Sequence, residues 1–430
     1  SGGNVLLAAT GIEDHPRVKT EGAFQYIDSF VYLYEITPIG HAERLAAVDV
    51  SALGVVTPKW LHMTQGAGGG LEIKTSGYGA ENLATLRWPP GQLSSPPVTA
   101  TRAIVPGIAA AVLRAPGLVG ADPLLDAWVI VAPKRQPAVV AVPAPKTART
   151  LASRIGEAIF FSTLATPDSK ADGPSSRFSC EACHYDGYVD GRTHFTGKKK
   201  VPAVTMPLHG LFGNRPHYSH ALVPTLADLS SVVLMLVNLP TGIDPWFSIA
   251  RADAPWLRYL GKVPERISPL AVREALMAFF VDYAQRPNPA VAGRSAFSAT
   301  ERRGAEVFHK LCARCHAPRL FADDPKTAAP FADWEKRIFS PQGPLVWASA
   351  SYAKTGITPY FHKLGTRVPS LRRLYTKAPY FTNGAAENLA AVLSRAAASR
   401  GTFYHDGAPP EATRIPADDQ LALAAFLRLL

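Results

Sequence analysis

All four cysteines of this chain lie in two short stretches that share the pattern Cys-x-x-Cys-His. This pattern is the attachment signature of c-type haem, in which both thiols add to the vinyl groups of one porphyrin and the histidine binds the iron. The sequence therefore predicts two covalently bound c-type haems. The residues that would hold them are Cys180, Cys183 and His184 for the first haem, and Cys312, Cys315 and His316 for the second.

Two Cys-x-x-Cys pairs could instead bind zinc, or act as a redox dithiol. Zinc knuckles need no histidine after the second cysteine, and paired knuckles usually lie about 15–20 residues apart. Here 128 residues stand between Cys183 and Cys312. With 12 histidines in 430 residues, a chance histidine after both pairs has a frequency of roughly one in a thousand. The haem interpretation is therefore favoured.

The length of the chain and its apolar segments limit the class of protein to which it can belong. A chain of 430 residues is long enough for two or three domains. Covalent haem of this kind is normally attached outside the bacterial cytoplasm, so we expect a periplasmic, extracellular or cell-surface protein. No apolar run approaches the roughly 18 residues that span a bilayer, and no signal peptide is visible, so we interpret the sequence as a mature form.

The net charge of +11 favours an acidic protein partner or an anionic surface, although it could serve solubility alone. Aromatic residues do not interleave with a basic stripe, so nucleic acid is not expected. The basic run Lys198–Lys200 is interpreted as a solvated loop, with docking of an acidic partner as the alternative.

Residues 1–148 have the pattern of a β-rich region. Short β-branched and apolar runs alternate with Gly, Pro and Asp breaks, which predicts strands. The clearest are 30–36, 98–105, 127–131 and 138–142. About eight to ten strands would form about two propeller blades, whereas a closed propeller needs at least about four. We expect an irregular β cap, or a partial propeller completed by a companion β-propeller chain.

From residue 149 the chain repeats itself, which predicts a first cytochrome c-like haem domain at 149–290 and a second at 291–430. Each copy opens with a helix that contains a glycine, Gly156 or Gly304, and closes with an amphipathic helix, 275–280 or 422–427. In cytochrome c folds such a glycine lets the two helices cross closely. The predicted fold class is mainly α, with two tandem haem domains after the β-rich region.

The middle of each copy matches the other at a constant offset of 163 positions, without gaps. This register predicts two copies of one domain related by a pseudo-twofold axis. The matched pairs are Leu208 with Leu371, Leu211 with Leu374, Pro216 with Pro379, and Leu226 with Leu389.

Residues 149–430 resemble the di-haem bacterial cytochrome c peroxidases and their MauG-type relatives. The resemblance rests on both haem motifs, on the Ile-Phe-Phe run 159–161, on Arg-Val-Pro-Ser-Leu-Arg at 367–372, and on Ala-Pro-Tyr-Phe-Thr-Asn-Gly at 378–384. The family usually has His-Asp where Thr382 and Asn383 stand. The stretch 183–191 resembles a branch in which a β-propeller is fused to such a peroxidase.

The resemblance implies a division of labour between the haems. One haem is open at iron and reacts with hydrogen peroxide, while the other is six-coordinate and relays electrons. MauG-type enzymes oxidise residues of a separate protein, which can install a post-translational modification. The peroxidases receive electrons from a small redox protein. Calcium as a further cofactor is left open.

The sequence departs from the family at the first haem. The tryptophan that the family places between the haems is Ser219 here, and Tyr218 or His220 could take over its relay role or be structural. The Gln and Glu of the peroxide site fall near Leu229 and Leu239, which cannot take a proton from peroxide. The nearby substitutes are His209, His217 and His220, each of which could instead be an iron ligand or a surface residue.

The second haem also lacks its usual sixth ligand, because that position falls near Ala396. His405 and Tyr404 lie 89 and 88 residues after His316, within loop reach of this haem. Histidine would favour low-spin iron, and tyrosinate would stabilise ferric iron. We favour His405 over Tyr404, with no protein ligand as the remaining option.

Three functions follow. The first is a peroxide-activating di-haem oxidoreductase that oxidises a protein partner. The second is a dioxygen-activating oxygenase, because rubber oxygenases have a MauG-like haem core and the Gln/Glu pair is missing. The third is an electron-transfer cytochrome in which protein ligands close both irons.

Overall fold

The computed structural model describes residues 3–14, 27–114, 117–143, 149–167, 179–196, 201–208, 210–238, 246–283, 288–340 and 345–430. Helices and strands each account for 28% of the residues that the structure describes. The prediction of a mainly α fold is therefore wrong. The β-rich region contributes many strands, and the loops of the haem region form further short hairpins. His209 and Lys198–Lys200 lie outside the described residues.

Three antiparallel sheets make up the β-rich region, and each sheet joins strands that follow one another along the chain. The predicted strands at 30–36, 98–105, 127–131 and 138–142 are confirmed. The first strands of the three sheets adjoin, because Pro58–Gln65 contacts both Val5–Asp14 and Ala110–Arg114. The strands are β1 Val5–Asp14, β2 Ile27–Ile36 and β3 Ala42–Asp49, then β4 Pro58–Gln65, β5 Leu71–Gly77, β6 Asn82–Trp88 and β7 Val98–Ala103, then β8 Ala110–Arg114, β9 Gly117–Asp122, β10 Ala127–Val131 and β11 Ala138–Ala141.

Seven α-helices and four small sheets follow in the described part of the chain. The helices are α1 Leu151–Phe161, α2 Leu226–Val237, α3 Pro269–Asp282, α4 Ala299–Leu311, α5 Trp334–Ile338, α6 Leu389–Arg395 and α7 Ala417–Leu427. The strands are β12 Thr193–Thr196 with β13 Val201–Val204, β14 Ile249–Ala250 with β15 Arg266–Ile267, β16 Tyr352–Ala353 with β17 Thr366–Arg367, and β18 Ala397–Ser399 with β19 Thr402–Tyr404 and β20 Thr413–Arg414. Within the described ranges, no helix is both long enough and apolar enough to cross a membrane.

Contacts divide the chain into two compact units. The first comprises Ser1–Ala182 and Ser231–Asp282, and the second comprises Cys183–Ser230 and Tyr283–Leu430. The division falls inside the first haem motif, between Ala182 and Cys183. The predicted domain boundaries at 149–290 and 291–430 stay a prediction.

The same helix crossing occurs once in each unit. A Cβ atom at Gly156 of α1 would overlap the carbonyl oxygen of Ala275 on α3, and one at Gly304 of α4 would overlap that of Ala422 on α7. Only glycine allows this approach, so the predicted crossing is confirmed in both copies. The flanking aromatic pairs match as well, with ring centroids 5.3 Å apart in each. These pairs are Phe160 with Phe279 and Phe308 with Phe426.

Each of these opening helices also begins with the same kind of cap. The Thr150 hydroxyl accepts a hydrogen bond from the Ser153 amide at 3.1 Å. The Ser298 hydroxyl accepts one from the Glu301 amide at 3.2 Å, and the Glu301 carboxylate accepts one in return from the Ser298 amide. Such caps satisfy amides that have no partner inside the helix. They fix where the helix ahead of each haem motif starts.

Candidate functional site

The two matched loops of the repeat have the same local structure, and both lie in the second unit. Tyr218 and Phe381, which are 163 positions apart, adopt the left-handed region with φ of 66° and 67°. The isolated bridge of His217 with Val223 has its counterpart in Tyr380 with Ala386. The sequence register therefore holds residue by residue in three dimensions.

The two copies also exchange equivalent hydrogen bonds. The Val204 amide donates to the Thr382 carbonyl at 2.8 Å, and the Arg367 amide donates to the Ser219 carbonyl at 3.0 Å. Val204 matches Arg367, and Ser219 matches Thr382, at the same offset of 163. Under a twofold axis, each contact between a residue of one copy and a residue of the other is repeated with the roles of the two copies exchanged. The two bonds support the predicted pseudo-twofold relation between the loops.

His316 is held with one ring nitrogen occupied and the other available. Its backbone amide donates to the Cys312 carbonyl at 2.9 Å, directly after α4. Its Nδ1–H donates to the Trp347 carbonyl at 3.1 Å, which leaves the lone pair on Nε2. Burial lowers the pKa of His316 to about 3, so the ring is neutral. A neutral imidazole oriented by a carbonyl is the usual arrangement of a metal ligand.

The ring of His405 lies close to that of His316. Their centroids are 6.3 Å apart and their planes are inclined by 61°. A metal–nitrogen bond is about 2 Å, and the ring centre lies roughly 1 Å beyond the nitrogen, so two imidazoles on opposite sides of one metal have centroids about 6 Å apart. Burial lowers the pKa of His405 to about 4, so this ring is neutral too. At this spacing both rings could bind one metal ion between them.

A β-hairpin positions His405. This residue directly follows strand β19, and its backbone amide donates to the Thr355 carbonyl at 2.8 Å. Phe403 and Phe381 flank the imidazole, with ring centroids at 5.2 Å and 6.1 Å. Tyr404 pairs with Ala397 in the sheet, and no ring contact joins it to His316 within the described residues. Of the two ligand candidates, the structure brings only His405 to His316.

The first motif is described on each side of the unit division. In the first unit, burial raises the pKa of the Cys180 thiol to about 12. In the second unit, burial lowers the pKa of His184 to about 4, while the Asp190 carboxylate and the Met206 carbonyl act in the opposite direction. Met206 matches Pro369, whose carbonyl acts on His316 in the same way. The two histidines therefore face equivalent carbonyls.

Cationic side chains are concentrated in the segment after strand β17. Burial lowers the pKa of Arg367 and of Arg372 to about 10 and that of Lys377 to about 8. Arg367 is only 2% exposed, and its guanidinium donates to the carbonyl and the side-chain oxygen of Asn214 at 2.8 Å and 2.7 Å. Buried positive charge needs an anion nearby. The two carboxylates of a haem would supply one, so these residues fit the cofactor that the motifs predict.

The three predicted catalytic residues have different surroundings. His217 is buried and its Nδ1 has no hydrogen-bond partner among the described atoms; burial, then Arg367 and Arg215, lower its pKa to about 4. Burial raises the pKa of Tyr218 to about 12. The His220 ring lies 5.2 Å from the Tyr218 ring. The structure thus brings Tyr218 and His220 together.

The residue that matches Tyr218 in the second copy lies beside His405. Tyr218 matches Phe381, whose ring centroid lies 6.1 Å from that of His405. The Leu222 amide donates to His220 Nδ1 at 3.2 Å, which puts the proton of the neutral ring on Nε2. Tyr218 and His220 are therefore both hydrogen-bond donors at neutral pH.

Sequence reasoning missed one polar group beside the first motif. His194 Nε2 lies 2.7 Å from an Asp190 carboxylate oxygen, and both side chains are buried. Ligand atoms of Cys183, Asp190 and His194 all lie within 4.8 Å of one another. An Asp and a His four residues apart after the motif were the available signal. Ala396, which stands where the family has its sixth ligand, is buried at the end of α6.

Comparison with family models finds no match, and comparison with curated proteins finds none. Among solved structures, the chain is similar to a MauG-like protein associated with microbial copper homeostasis, with 18% identity and a TM-score of 0.38, over 67% of this chain and 91% of that one. It is also similar to hydrazine synthase of Kuenenia stuttgartiensis, with 14% identity and a TM-score of 0.39, over 70% of this chain and 99% of that one. Similarity at this level does not assign a function, which depends on the chain's own residues.

Proposed function

We propose that this chain is a di-haem c-type oxidoreductase with one closed and one open iron. His316 and His405 close the second haem, and His184 alone ligates the first. The observation that carries the proposal is the 6.3 Å separation of the His316 and His405 rings. Because both rings are neutral and their centroids lie at this spacing, His316 and His405 would together hold the second haem, which would supply electron transfer when bound.

The seven residues 239–245 of the first copy contain no residue type that would replace His405. In the second copy the ligand follows α6, in the connection towards α7. In the first copy α2 is followed by Leu-Pro-Thr-Gly-Ile-Asp-Pro at 239–245, which lies outside the described residues. That sequence contains no His, Met, Tyr, Lys or Cys. The absence of such a ligand from this segment supports an iron that keeps its sixth position for a small molecule.

When bound, the first haem would supply redox chemistry with peroxide or dioxygen. The chain's contribution is the arrangement of polar groups around that position. Tyr218 keeps its phenolic proton because burial raises its pKa to about 12, and His220 carries its proton on Nε2. Both can donate a hydrogen bond to an oxygen atom of the small molecule and so fix its orientation.

Hydrogen peroxide is the oxidant in our leading proposal, with an acidic protein as the partner that is oxidised. Proton transfer from peroxide needs a base, and His217 is a weak one, since burial lowers its pKa to about 4. Two donors without a strong base favour a second candidate, a dioxygen-activating oxygenase. Either activity would belong outside the bacterial cytoplasm, where haem of this kind is attached.

The stoichiometry of carbon monoxide binding tests the proposal. The purified protein is assayed for two haems by mass, then reduced and titrated with carbon monoxide, which binds only an iron that has a free position. One equivalent per chain is expected. No binding would mean two closed haems and an electron-transfer cytochrome. Two equivalents would mean that His405 does not hold the second haem.

Addition of one oxidant at a time separates the enzyme candidates. Peroxide should change the ferric spectrum of the first haem if peroxide is the oxidant. If peroxide leaves it unchanged while the reduced protein takes up dioxygen, the oxygenase is favoured.

A further inference from the structure

A buried ion pair joins the β-rich region to the first haem motif. Glu181 stands between the two cysteines of that motif, and its side chain is fully buried. The ammonium of Lys59, on strand β4, lies 2.6 Å from the Glu181 carboxylate, with only 10% of the lysine side chain exposed. The second motif has Ala313 at the corresponding position. The pair is therefore specific to the first haem.

Aromatic rings hold the lysine in place. Its ammonium lies 4.2 Å from the centroid of the Tyr78 ring and 5.3 Å from that of Phe161, and the two rings pack edge to face at 5.6 Å. Phe161 ends helix α1, which leads towards the motif. The Thr163 amide also donates to the Gly79 carbonyl at 3.0 Å. Cation–π contacts and this backbone bond fix the position of the Lys59 charge.

Stability alone does not account for this pair. Burying two charges costs about as much as their attraction returns, and apolar residues of similar volume are often as stable. The position of Glu181 gives the pair a different consequence. Its charge contributes to the raised pKa of the neighbouring Cys180 thiol, after burial, so its field reaches the atom that would carry the thioether bond.

We propose that Lys59 and Glu181 set the reduction potential of the first haem, with the β-rich region supplying the positive charge that balances a carboxylate built into the motif. The inference rests on the proposed attachment of haem at Cys180. Lys59 is a positioning residue, since it acts through Glu181 and through its charge.

The sign of the effect follows from electrostatics. Reduction of ferric haem adds one electron, so a nearby negative charge stabilises the ferric form and lowers the potential, whereas a nearby positive charge raises it. Lys59→Met removes the positive charge, and Glu181→Gln removes the negative charge. The two variants should therefore shift the potential of the first haem in opposite directions, and the double variant should return it towards the starting value.

Spectroelectrochemical titration of the full-length holoprotein measures this, because the open and closed haems differ in spectrum. We expect a lower first-haem potential in Lys59→Met, a higher one in Glu181→Gln, and an unchanged second haem in both. The matched control is Lys74→Met, which breaks a more exposed pair with Glu72 at 2.8 Å on strand β5 and should move neither potential.

The outcomes are distinct. Shifts of the same sign in both single variants, or no shift, would overturn the inference, and a melting curve on each variant shows whether it folds. If the unsubstituted protein carries no haem at either motif, the proposed function is contradicted instead. If Lys74→Met shifts the potential of the first haem as much as Lys59→Met does, the shift is an effect of general surface charge. That result would also overturn the inference.

Discussion

The imidazole rings of His316 and His405 have centroids 6.3 Å apart, although 88 residues stand between them in the chain. The first imidazole is fixed by the Trp347 carbonyl, and the second by the backbone of a hairpin that bonds to Thr355. Neither position depends on a long flexible side chain. The backbone therefore positions both proposed ligands of the second haem, and changes of the backbone should displace them.

Gly356→Ala should disturb His405 from a distance. A Cβ atom at Gly356 would overlap the carbonyl oxygen of Asp406, the residue after His405, so the hairpin must move. We expect part of the second haem to become high-spin, as measured by the ferric optical spectrum. Gly401→Ala is the control, because that residue also has a positive φ but meets nothing within 4 Å. Equal effects of both variants would mean that backbone strain, not the overlap, is responsible.

Gly304→Ala should destabilise the second unit. The added methyl group would overlap the Ala422 carbonyl and lie 2.8 Å from the Phe426 Cβ atom, so helices α4 and α7 must separate. We expect a loss of about 3 kcal/mol in the free energy of unfolding, measured by urea denaturation. Gly66→Ala meets its nearest atom at an ordinary 3.6 Å and should change stability little. A loss below about 1 kcal/mol in Gly304→Ala would contradict a close crossing.

His217 should make the protein sensitive to acid. Burial, with Arg367 and Arg215 nearby, lowers its pKa from 6.5 to about 4 in the folded state. Between these values the unfolded chain binds a proton that the folded protein does not, so stability falls as the pH falls through this window. His217→Gln should reduce the slope of unfolding free energy against pH by about 1 kcal/mol per unit near the middle of the window. Denaturation at several pH values measures the slope.

The control for that slope is His41→Gln, which removes an exposed histidine from the β-rich region. Its slope should match that of the unsubstituted protein. An unchanged slope in His217→Gln would mean that the imidazole is not held neutral by its surroundings.

Tyr218→Phe should weaken anion binding at the first haem. The change introduces at position 218 the residue type of the matching position, Phe381. Packing should therefore be preserved while one hydrogen-bond donor is lost. Fluoride accepts hydrogen bonds, and its Kd for the ferric protein should rise about tenfold, equivalent to about 1.4 kcal/mol. Carbon monoxide is a poor acceptor, and its affinity for the reduced protein should stay the same. If fluoride binds both proteins equally, Tyr218 does not reach the sixth position.

Local patterns predicted the elements better than they predicted the fold class. The β-branched, apolar run 127–131 identified strand β10, and the glycine-containing helices identified both crossings. The fold class was wrong because most of the strand residues lie in β1–β11, and the loops of the haem region add hairpins such as β12–β13, whose short strands carry little periodic signal.

The site shows the same limit. The sequence favoured His405 over Tyr404 but could not settle the choice, because adjacent residues of an extended segment point to opposite faces and the face is set by tertiary contacts. It also gave no indication of the pair formed by Lys59 and Glu181, which lie 122 positions apart. Charge pairs between distant segments have no local pattern.

Electron paramagnetic resonance of the ferric protein, with and without His405→Ala, tests the closed-and-open arrangement most directly. We predict one high-spin and one low-spin signal in the unsubstituted protein, and conversion of only the low-spin signal to high-spin in the variant. Two low-spin signals in the unsubstituted protein, or a variant spectrum identical to it, would contradict the account.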